Sequence, residues 1–143
     1  SKAMISFEEL ITNENIIYLN SCFLNKLKTL EKLDLNNCKF YKIQTKNSLS
    51  ELKVKLQSLN MSECRLTDIN CETFSKMEFL RYLNLNSNIL TTLDNNVFIG
   101  LVSLEELDLS NNQISIIEQN ALSYLANLKV LNLSRNKINI IYQ

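Results

Sequence analysis

The chain repeats a pattern that is clearest in Leu80-Arg-Tyr-Leu83-Asn-Leu85-Asn-Ser-Asn88-Ile-Leu90. The same positions return in Leu104-Glu-Glu-Leu107-Asp-Leu109-Ser-Asn-Asn112-Gln-Ile114 and in Leu128-Lys-Val-Leu131-Asn-Leu133-Ser-Arg-Asn136-Lys-Ile138. The three copies begin at positions 80, 104 and 128 and are therefore evenly spaced. A fixed period of this length is typical of proteins built from stacked supersecondary units, in which each unit depends on its neighbours to bury its apolar face.

Less regular copies lie upstream, in residues 30–40 and 56–66, and they carry cysteine in place of the asparagine. The step from 56 to 80 keeps the same spacing, whereas the step from 30 to 56 is longer by two positions, and we expect the extra residues to bulge the connection within residues 41–54. A degenerate unit is expected over about residues 5–29, and the last repeat is incomplete. The sequence therefore predicts one domain over residues 1–143, with repeats starting at 30, 56, 80, 104 and 128.

Each copy contains a Leu-x-Leu segment, which predicts a short strand with one buried face. Stacked copies would form a parallel sheet with strands about 4.8 Å apart. Asn88, Asn112 and Asn136 follow the strands, where their side-chain amides can bond the backbone groups of their own turn and of the adjacent turn. Phe74 and Phe98 recur in the second half of the units, and we expect them to fill the wide outer arc.

The pattern resembles the leucine-rich repeat family over about residues 16–143. The 24-residue period with Phe on the outer arc is similar to the class found in Toll-like receptors and secreted immune proteins. The resemblance implies an α/β solenoid: a horseshoe segment with a short parallel β-sheet on its concave face and irregular or short helical arcs on its convex face. The stretch Cys64-Arg-Leu-Thr-Asp-Ile-Asn-Cys71 resembles instead the intracellular, ribonuclease-inhibitor-like repeats. The cellular compartment is therefore left open.

The composition argues against several classes of function. The formal net charge of +0, from 15 basic and 15 acidic residues, gives no field that would attract nucleic acid or an anionic membrane. No apolar run approaches the roughly 20 residues that span a bilayer. The chain has no histidine and one glycine, which removes the commonest general base and metal ligand and any glycine-rich phosphate loop. We predict no enzyme activity, no metal site and no cofactor.

The four cysteines form no Cys-x-x-Cys pair of the kind found in zinc and redox sites. Cys38 and Cys64 hold the asparagine position of adjacent repeats. For these two we favour buried free thiols over a bridge between turns, because both side chains should point into the core. Cys22 and Cys71 should lie too far apart on the outer arc to pair. Extracellular members of the family usually carry capping cysteine clusters, which this sequence lacks.

Two triplets, Asn60-Met-Ser62 and Asn132-Leu-Ser134, are N-glycosylation acceptor patterns. Both asparagines alternate with the strand leucines, so their side chains should project from the concave face. A glycan at Asn60 would stand in the middle of the surface where ligands of the family commonly bind.

The outward residues of the strands should form three columns across the concave face. The first column is Lys32, Ser58, Tyr82, Glu106 and Val130; the second is Asp34, Asn60, Asn84, Asp108 and Asn132; the third is Asn36, Ser62, Asn86, Ser110 and Ser134. We single out Tyr82 and the adjacent Arg81, beside Glu105, because aromatic and arginine side chains dominate binding hot spots. The predicted partner-binding residues are Lys32, Asp34, Ser58, Asn60, Arg81, Tyr82, Asn84, Glu106 and Asp108.

The resemblance implies a non-catalytic module that binds another protein, as part of an extracellular or secreted receptor or protein of the innate immune type. The alternatives are a cytoplasmic adaptor or effector and a structural unit that associates with itself. The last repeat ends in Ile140-Ile141-Tyr142-Gln143, and we expect its apolar edge to continue into a longer solenoid or to be covered by a second chain. A homodimer through that edge is therefore a prediction. No binding of nucleic acid and no membrane insertion are expected.

Overall fold

The structure is a computed structural model and describes residues 4–6, 30–37 and 55–142. Within these residues the chain forms short strands joined by turns and irregular segments. In chain order the strands are β1 (Met4–Ser6), β2 (Lys32–Asp34), β3 (Ser58–Asn60), β4 (Tyr82–Asn84), β5 (Thr92–Leu93), β6 (Glu106–Asp108), β7 (Ile116–Ile117), β8 (Val130–Asn132) and β9 (Ile140–Ile141).

Six strands form one parallel sheet, in the order β1-β2-β3-β4-β6-β8. Leu33, Leu59, Leu83 and Leu107 are register partners at the centres of successive strands, and all four are buried. The longer step from β2 to β3 and the equal steps after it therefore lead to one continuous register. The solenoid and its short parallel sheet, predicted from the repeat, are confirmed.

Strand β1 was not assigned from the sequence. Strand β1 pairs with the three residues of β2, and Ile5 is the register partner of Leu33. Ile5 therefore precedes Leu33 in the row of residues at the strand centres. The step along the chain from Met4 to Lys32 is longer than the step between any other neighbouring strands of the sheet, and this irregularity hides the register. The rest of the N-terminal segment up to residue 29 lies outside the described residues, as do Cys22, Cys38 and the bulge expected within residues 41–54.

The core runs along the stack behind the sheet and is closed by aromatic rings on the outer side. Leu33, Leu59, Leu83 and Leu107 belong to one cluster of buried residues that also contains Phe74 and Phe98, whereas Leu131 at the centre of β8 is 37% exposed. The two phenylalanine rings lie with their centroids 6.4 Å apart and their planes inclined by 24°. The predicted aromatic column of the outer arc is therefore confirmed, and Leu122 follows it in the next repeat as a partly buried residue.

The convex arcs in the described part of the chain are irregular and contain no helix. Strands β5, β7 and β9 form a second, smaller parallel sheet, which was not predicted. Neighbouring arcs approach closely at Gly100, which has φ +91°. A Cβ atom there would lie 2.3 Å from the carbonyl oxygen of Ser75, so this position requires glycine both for its backbone conformation and for its contact.

A ladder of asparagine side chains holds the turns that follow the strands. The Nδ2 group of Asn88 donates to the carbonyl oxygens of Met61 and Leu85, each at 2.9 Å, and Oδ1 accepts the backbone N–H groups of Cys64 and Leu66 at 3.0 Å. One amide thus satisfies buried groups in two adjacent repeats, as the sequence predicted.

Cys64 takes the ladder position one repeat earlier and is buried, as expected. Its sulfur lies 3.1 Å from the carbonyl oxygen of Leu35 and 3.2 Å from that of Ser62. The sulfur therefore stands where Nδ2 of asparagine stands in the later repeats. Cys71 is exposed on the outer arc.

Replacing Asn112 by alanine should destabilise the protein strongly. Asn112 donates at 3.0 Å to the carbonyl oxygens of Leu85 and Leu109 and accepts from the Leu90 N–H at 3.1 Å. Because these groups would lose their partners inside the core, we expect the free energy of unfolding to fall by roughly 2–4 kcal/mol. Chemical denaturation measures the change. The exposed neighbour Gln113 is the control, and equal effects of Asn112→Ala and Gln113→Ala would contradict the ladder.

Candidate protein-binding surface

The first column of the concave face is assembled as predicted. Lys32, Ser58, Tyr82 and Glu106 are successive register partners across β2, β3, β4 and β6, and Val130 follows on β8. All are exposed except Ser58, which is half-buried. Side chains from five repeats therefore stand side by side, about 4.8 Å apart from strand to strand.

The second column has a structural task in addition to its predicted binding role. In each described repeat, Oδ1 of the column residue accepts the backbone N–H two residues later, at 2.9–3.1 Å. The five acceptors are Asp34, Asn60, Asn84, Asp108 and Asn132. These bonds shape the turn after the strand. Part of each second-column side chain is therefore committed to the fold before any partner arrives.

The third column is largely occupied by bonds between repeats. Ser62 is buried, and its hydroxyl donates to Oδ1 of Asn36 at 2.9 Å. Two repeats on, Nδ2 of Asn86 donates to Oγ of Ser110 at 2.6 Å. A partner on the concave face would therefore find the freest side chains in the first column.

Tyr82 lies in the middle of this first column with Arg81 beside it. Its side chain is 40% exposed, and Cζ of Arg81 lies 5.8 Å from the centroid of its ring. A cation at that distance from an aromatic face is attracted by the ring electrons. Around the ring, residues of β3, β4, β6 and β8 line a shallow surface depression with a volume of about 400 Å³.

Arg81 also belongs to a charged network at the start of the strands. Nε of Arg81 donates to Oε1 of Glu105 at 2.8 Å, and Nζ of Lys129 donates to Oε2 at 2.8 Å. The hydrogen bond from Lys129, and then that from Arg81, hold the pKa of the Glu105 carboxyl below its ordinary value. Lys129 was not among the predicted site residues. The repeat period that places it in one column with Arg81 and Glu105 was the signal available for finding it.

The two acceptor triplets place their asparagines on the concave face, as expected. Oδ1 of Asn60 and of Asn132 is held by the turn, accepting from Ser62 and Ser134 respectively. Nδ2, the atom that carries a glycan, is therefore the part of each amide that faces away from the turn. Ser134 is exposed, whereas Ser62 is buried.

The described residues bring together no group of three or more His, Cys, Asp or Glu side chains suited to a metal ion. In the same part of the chain, no helix is long and apolar enough to cross a membrane.

Comparison with known proteins assigns the fold to a family. The sequence profile of the family described as Leucine rich repeat matches residues 54–114 and 103–143. The chain belongs to the leucine-rich repeat family. Its structural neighbours are leucine-rich repeat proteins as well, and such proteins are generally non-catalytic binding modules. No curated protein sequence matches this leucine-rich repeat chain.

Three solved structures show the extent of the likeness. TLR13, in a complex with ssRNA13, is 32% identical with a TM-score of 0.73, over 82% of this chain and 16% of that chain. A leucine-rich repeat protein of Leptospira interrogans is 30% identical with a TM-score of 0.69, over 96% of this chain and 32% of its own. The leucine-rich repeat domain of APL1B, at 23% identity and a TM-score of 0.70, shares the fold over 93% of this chain and 38% of its own. The present chain thus spans well under half the length of these relatives.

The charged network makes the titration of Glu105 a direct test of the geometry. Because the pKa of Glu105 is lowered by its two cationic partners, the ion pairs should be intact at neutral pH and be lost as the pH falls through that lowered value. Replacing Lys129 or Arg81 by alanine should raise the pKa of Glu105 toward its ordinary value. Carboxyl carbon chemical shifts measured by NMR follow this titration. Lys137→Ala, at an exposed lysine outside the network, should leave it unchanged, and an unchanged value in Lys129→Ala would contradict the network.

Proposed function

We propose that this leucine-rich repeat chain is a non-catalytic recognition module that binds another protein on its concave face, centred on Tyr82. The observation that carries the proposal is the exposed Tyr82 ring beside Arg81 in the middle of the sheet. Such a pair offers a partner a large apolar area and a polar edge, the combination that dominates hot spots. The predicted residues Lys32, Ser58 and Glu106 continue the same column on both sides of the ring.

The charges of the concave face favour protein over nucleic acid. Its first two columns carry three carboxylates, those of Asp34, Glu106 and Asp108, against the one ammonium group of Lys32. Phosphate backbones bind where cationic side chains dominate. The neighbour TLR13 is in a complex with single-stranded RNA. On the concave face of the present chain, the excess of carboxylates would repel such an RNA. A protein surface can match this mixed pattern with cationic and apolar groups of its own.

The extracellular or secreted setting belongs to the proposal, and so does a role in innate immunity. The two acceptor triplets and the likeness to TLR13 support it. The alternative, a cytoplasmic adaptor or effector, is favoured by Cys64 in the ladder position, which buries a thiol group where the later repeats have an amide. A homodimer through the edge of the last repeat stays a prediction, and the exposed Ile140 and Ile141 side chains are the surface that it would cover.

Binding through Tyr82 can be tested by site-specific cross-linking. A photoreactive phenylalanine analogue at position 82 should cross-link a protein partner, whereas the same analogue at the exposed convex position 123 should not. The recovered partner should then bind Tyr82→Ala at least about 10-fold more weakly than the unmodified chain, because hot-spot side chains contribute about 2 kcal/mol or more. Calorimetry would give both affinities. Equal affinities for Tyr82→Ala and for the control Ser123→Ala would overturn the concave site.

The secreted setting makes a separate prediction about the two triplets. After secretion from eukaryotic cells, we expect a glycan on Asn132, whose partner Ser134 is exposed, and a bare Asn60. Asn60 is on β3 and Tyr82 is on the neighbouring strand β4, and both line the same depression, so a glycan on Asn60 would cover the proposed site. Peptide mapping by mass spectrometry measures both occupancies, with Ser134→Ala as the control that removes the acceptor pattern. Two bare asparagines on folded protein would favour the cytoplasmic alternative, and a glycan on Asn60 would move the binding site away from the concave face.

A further inference from the structure

We infer that the groove beside the starting ends of the strands is a docking site for an acidic segment of a partner protein that also carries aromatic side chains. This groove, called the basic groove below, has a volume of about 450 Å³ and is lined by Lys55, Phe79, Arg81, Glu105 and Lys129, among others. The inference deepens the proposed function, on which it rests, because it adds a second contact next to Tyr82 and states the chemistry of the partner.

The charge of the basic groove is unbalanced. Lys55, Arg81 and Lys129 provide three cations, whereas Glu105 is the carboxylate among its lining residues. Both oxygens of that carboxylate are already bonded, Oε1 by Arg81 and Oε2 by Lys129. Two positive charges are therefore in excess, and they would attract a second carboxylate, supplied by a partner.

Donor atoms remain for that second carboxylate. In the described structure Arg81 uses Nε and Nη2 toward Glu105, and a guanidinium group has five N–H donors in all. Lys129 uses one of its three ammonium protons in the same way. Glu105 thus positions both cations along one wall of the groove and leaves their other donors directed to solvent. Arg81 joins the two surfaces, because its guanidinium also lies against the Tyr82 ring.

An exposed aromatic ring supplies the apolar half of the site. Phe79 is 45% exposed, and Nζ of Lys55 lies 5.3 Å from the centroid of its ring. An exposed ring can pack against an aromatic side chain of a partner, while the cations next to it attract an acidic one. Phe79 and Tyr82 lie on either side of Arg81 along the chain, so the apolar contact extends from the groove onto the concave face.

A polypeptide matches these two surfaces better than a polyphosphate does. The basic groove carries excess positive charge, whereas the adjoining strand columns carry Glu106 and Asp108. A nucleic acid has the same negative charge at every unit, and it would be attracted by the groove and repelled one strand position further on. A protein segment can place its carboxylates over the groove and uncharged or cationic groups over the strands.

The test uses a fluorescein-labelled random copolymer of glutamate and tyrosine as the probe and fluorescence anisotropy as the measurement. The groove variant Lys55→Ala/Lys129→Ala keeps the Arg81–Glu105 pair, and the control Arg65→Ala/Lys137→Ala removes the same charge from exposed sites elsewhere. We expect the groove variant to bind the probe at least about fivefold more weakly and the control to stay within about twofold. For the apolar half, Phe79→Ala should weaken binding, while Val102→Ala, at a residue that is 49% exposed and outside the groove lining, should not.

Several outcomes would overturn the inference. These are no binding of the copolymer to the unmodified chain, equal loss in the groove and control variants, and tighter binding of single-stranded oligouridylate at the same groove residues. The partner cross-linked at position 82 separates this inference from the proposed function. If that partner binds the groove variant with unchanged affinity and Tyr82→Ala weakly, the groove inference fails and the proposed function stands. If no partner is cross-linked while the copolymer requires the groove, the concave site fails instead.

Discussion

The turns that follow β3, β4, β6 and β8 must satisfy backbone groups that are buried between two repeats, and the rest of the described structure depends on this constraint. Asn88 and Asn112 do so with single amides that bond their own turn and the turn of the preceding repeat. The turns after β2, β3, β4, β6 and β8 each hold one residue at the same place in the left-handed region, at φ 54–61°: Asn37, Glu63, Ser87, Asn111 and Arg135. The turn after β3 holds a second such residue, Arg65, at φ 56°. Because glutamate and arginine have no preference for that conformation, the ladder and the sheet together must impose it.

A turn that is held in this way fixes the register between neighbouring strands. The register in turn determines which side chains lie side by side on the surface. With Leu33, Leu59, Leu83 and Leu107 stacked as partners, residues at equal distances from them fall into straight columns. Cations and carboxylates that are far apart in sequence then meet, as Arg81, Glu105 and Lys129 do across three repeats. The separation of a basic groove from an acidic strand face is thus a consequence of stacking, since no single repeat contains it.

The sequence was sufficient to predict what the ladder controls. The repeat starts from residue 30 onward, the buried leucines, the outer-arc phenylalanines and the three columns all follow from one period. It was insufficient for β1, whose Met-Ile-Ser strand lacks both leucines and is separated from β2 by the longest step in the main sheet. The small sheet of β5, β7 and β9 was missed because its two-residue strands carry no alternation that could be recognised. Which second- and third-column side chains are committed to bonds within the fold, as at Ser62 and Asn86, could not be read from residue type, because polar residues there suit a ligand equally well.

Those commitments show where the chain can encode its partner. From β2 onward, second-column residues must be able to accept a hydrogen bond from the following turn, and each of them is Asp or Asn. Residues of the first column and of the column that contains Arg81 do not have to accept a hydrogen bond from the turn. Accordingly they vary widely, from Lys32 to Tyr82 to Val130 in the first and from Gln57 to Glu105 to Lys129 in the other. Because the fold does not require a particular residue at these positions, a binding partner can determine which residue is present. Tyr82 and Arg81 are neighbours in these two parallel columns, and neither side chain is required by the turn, which adds to the case for recognition there.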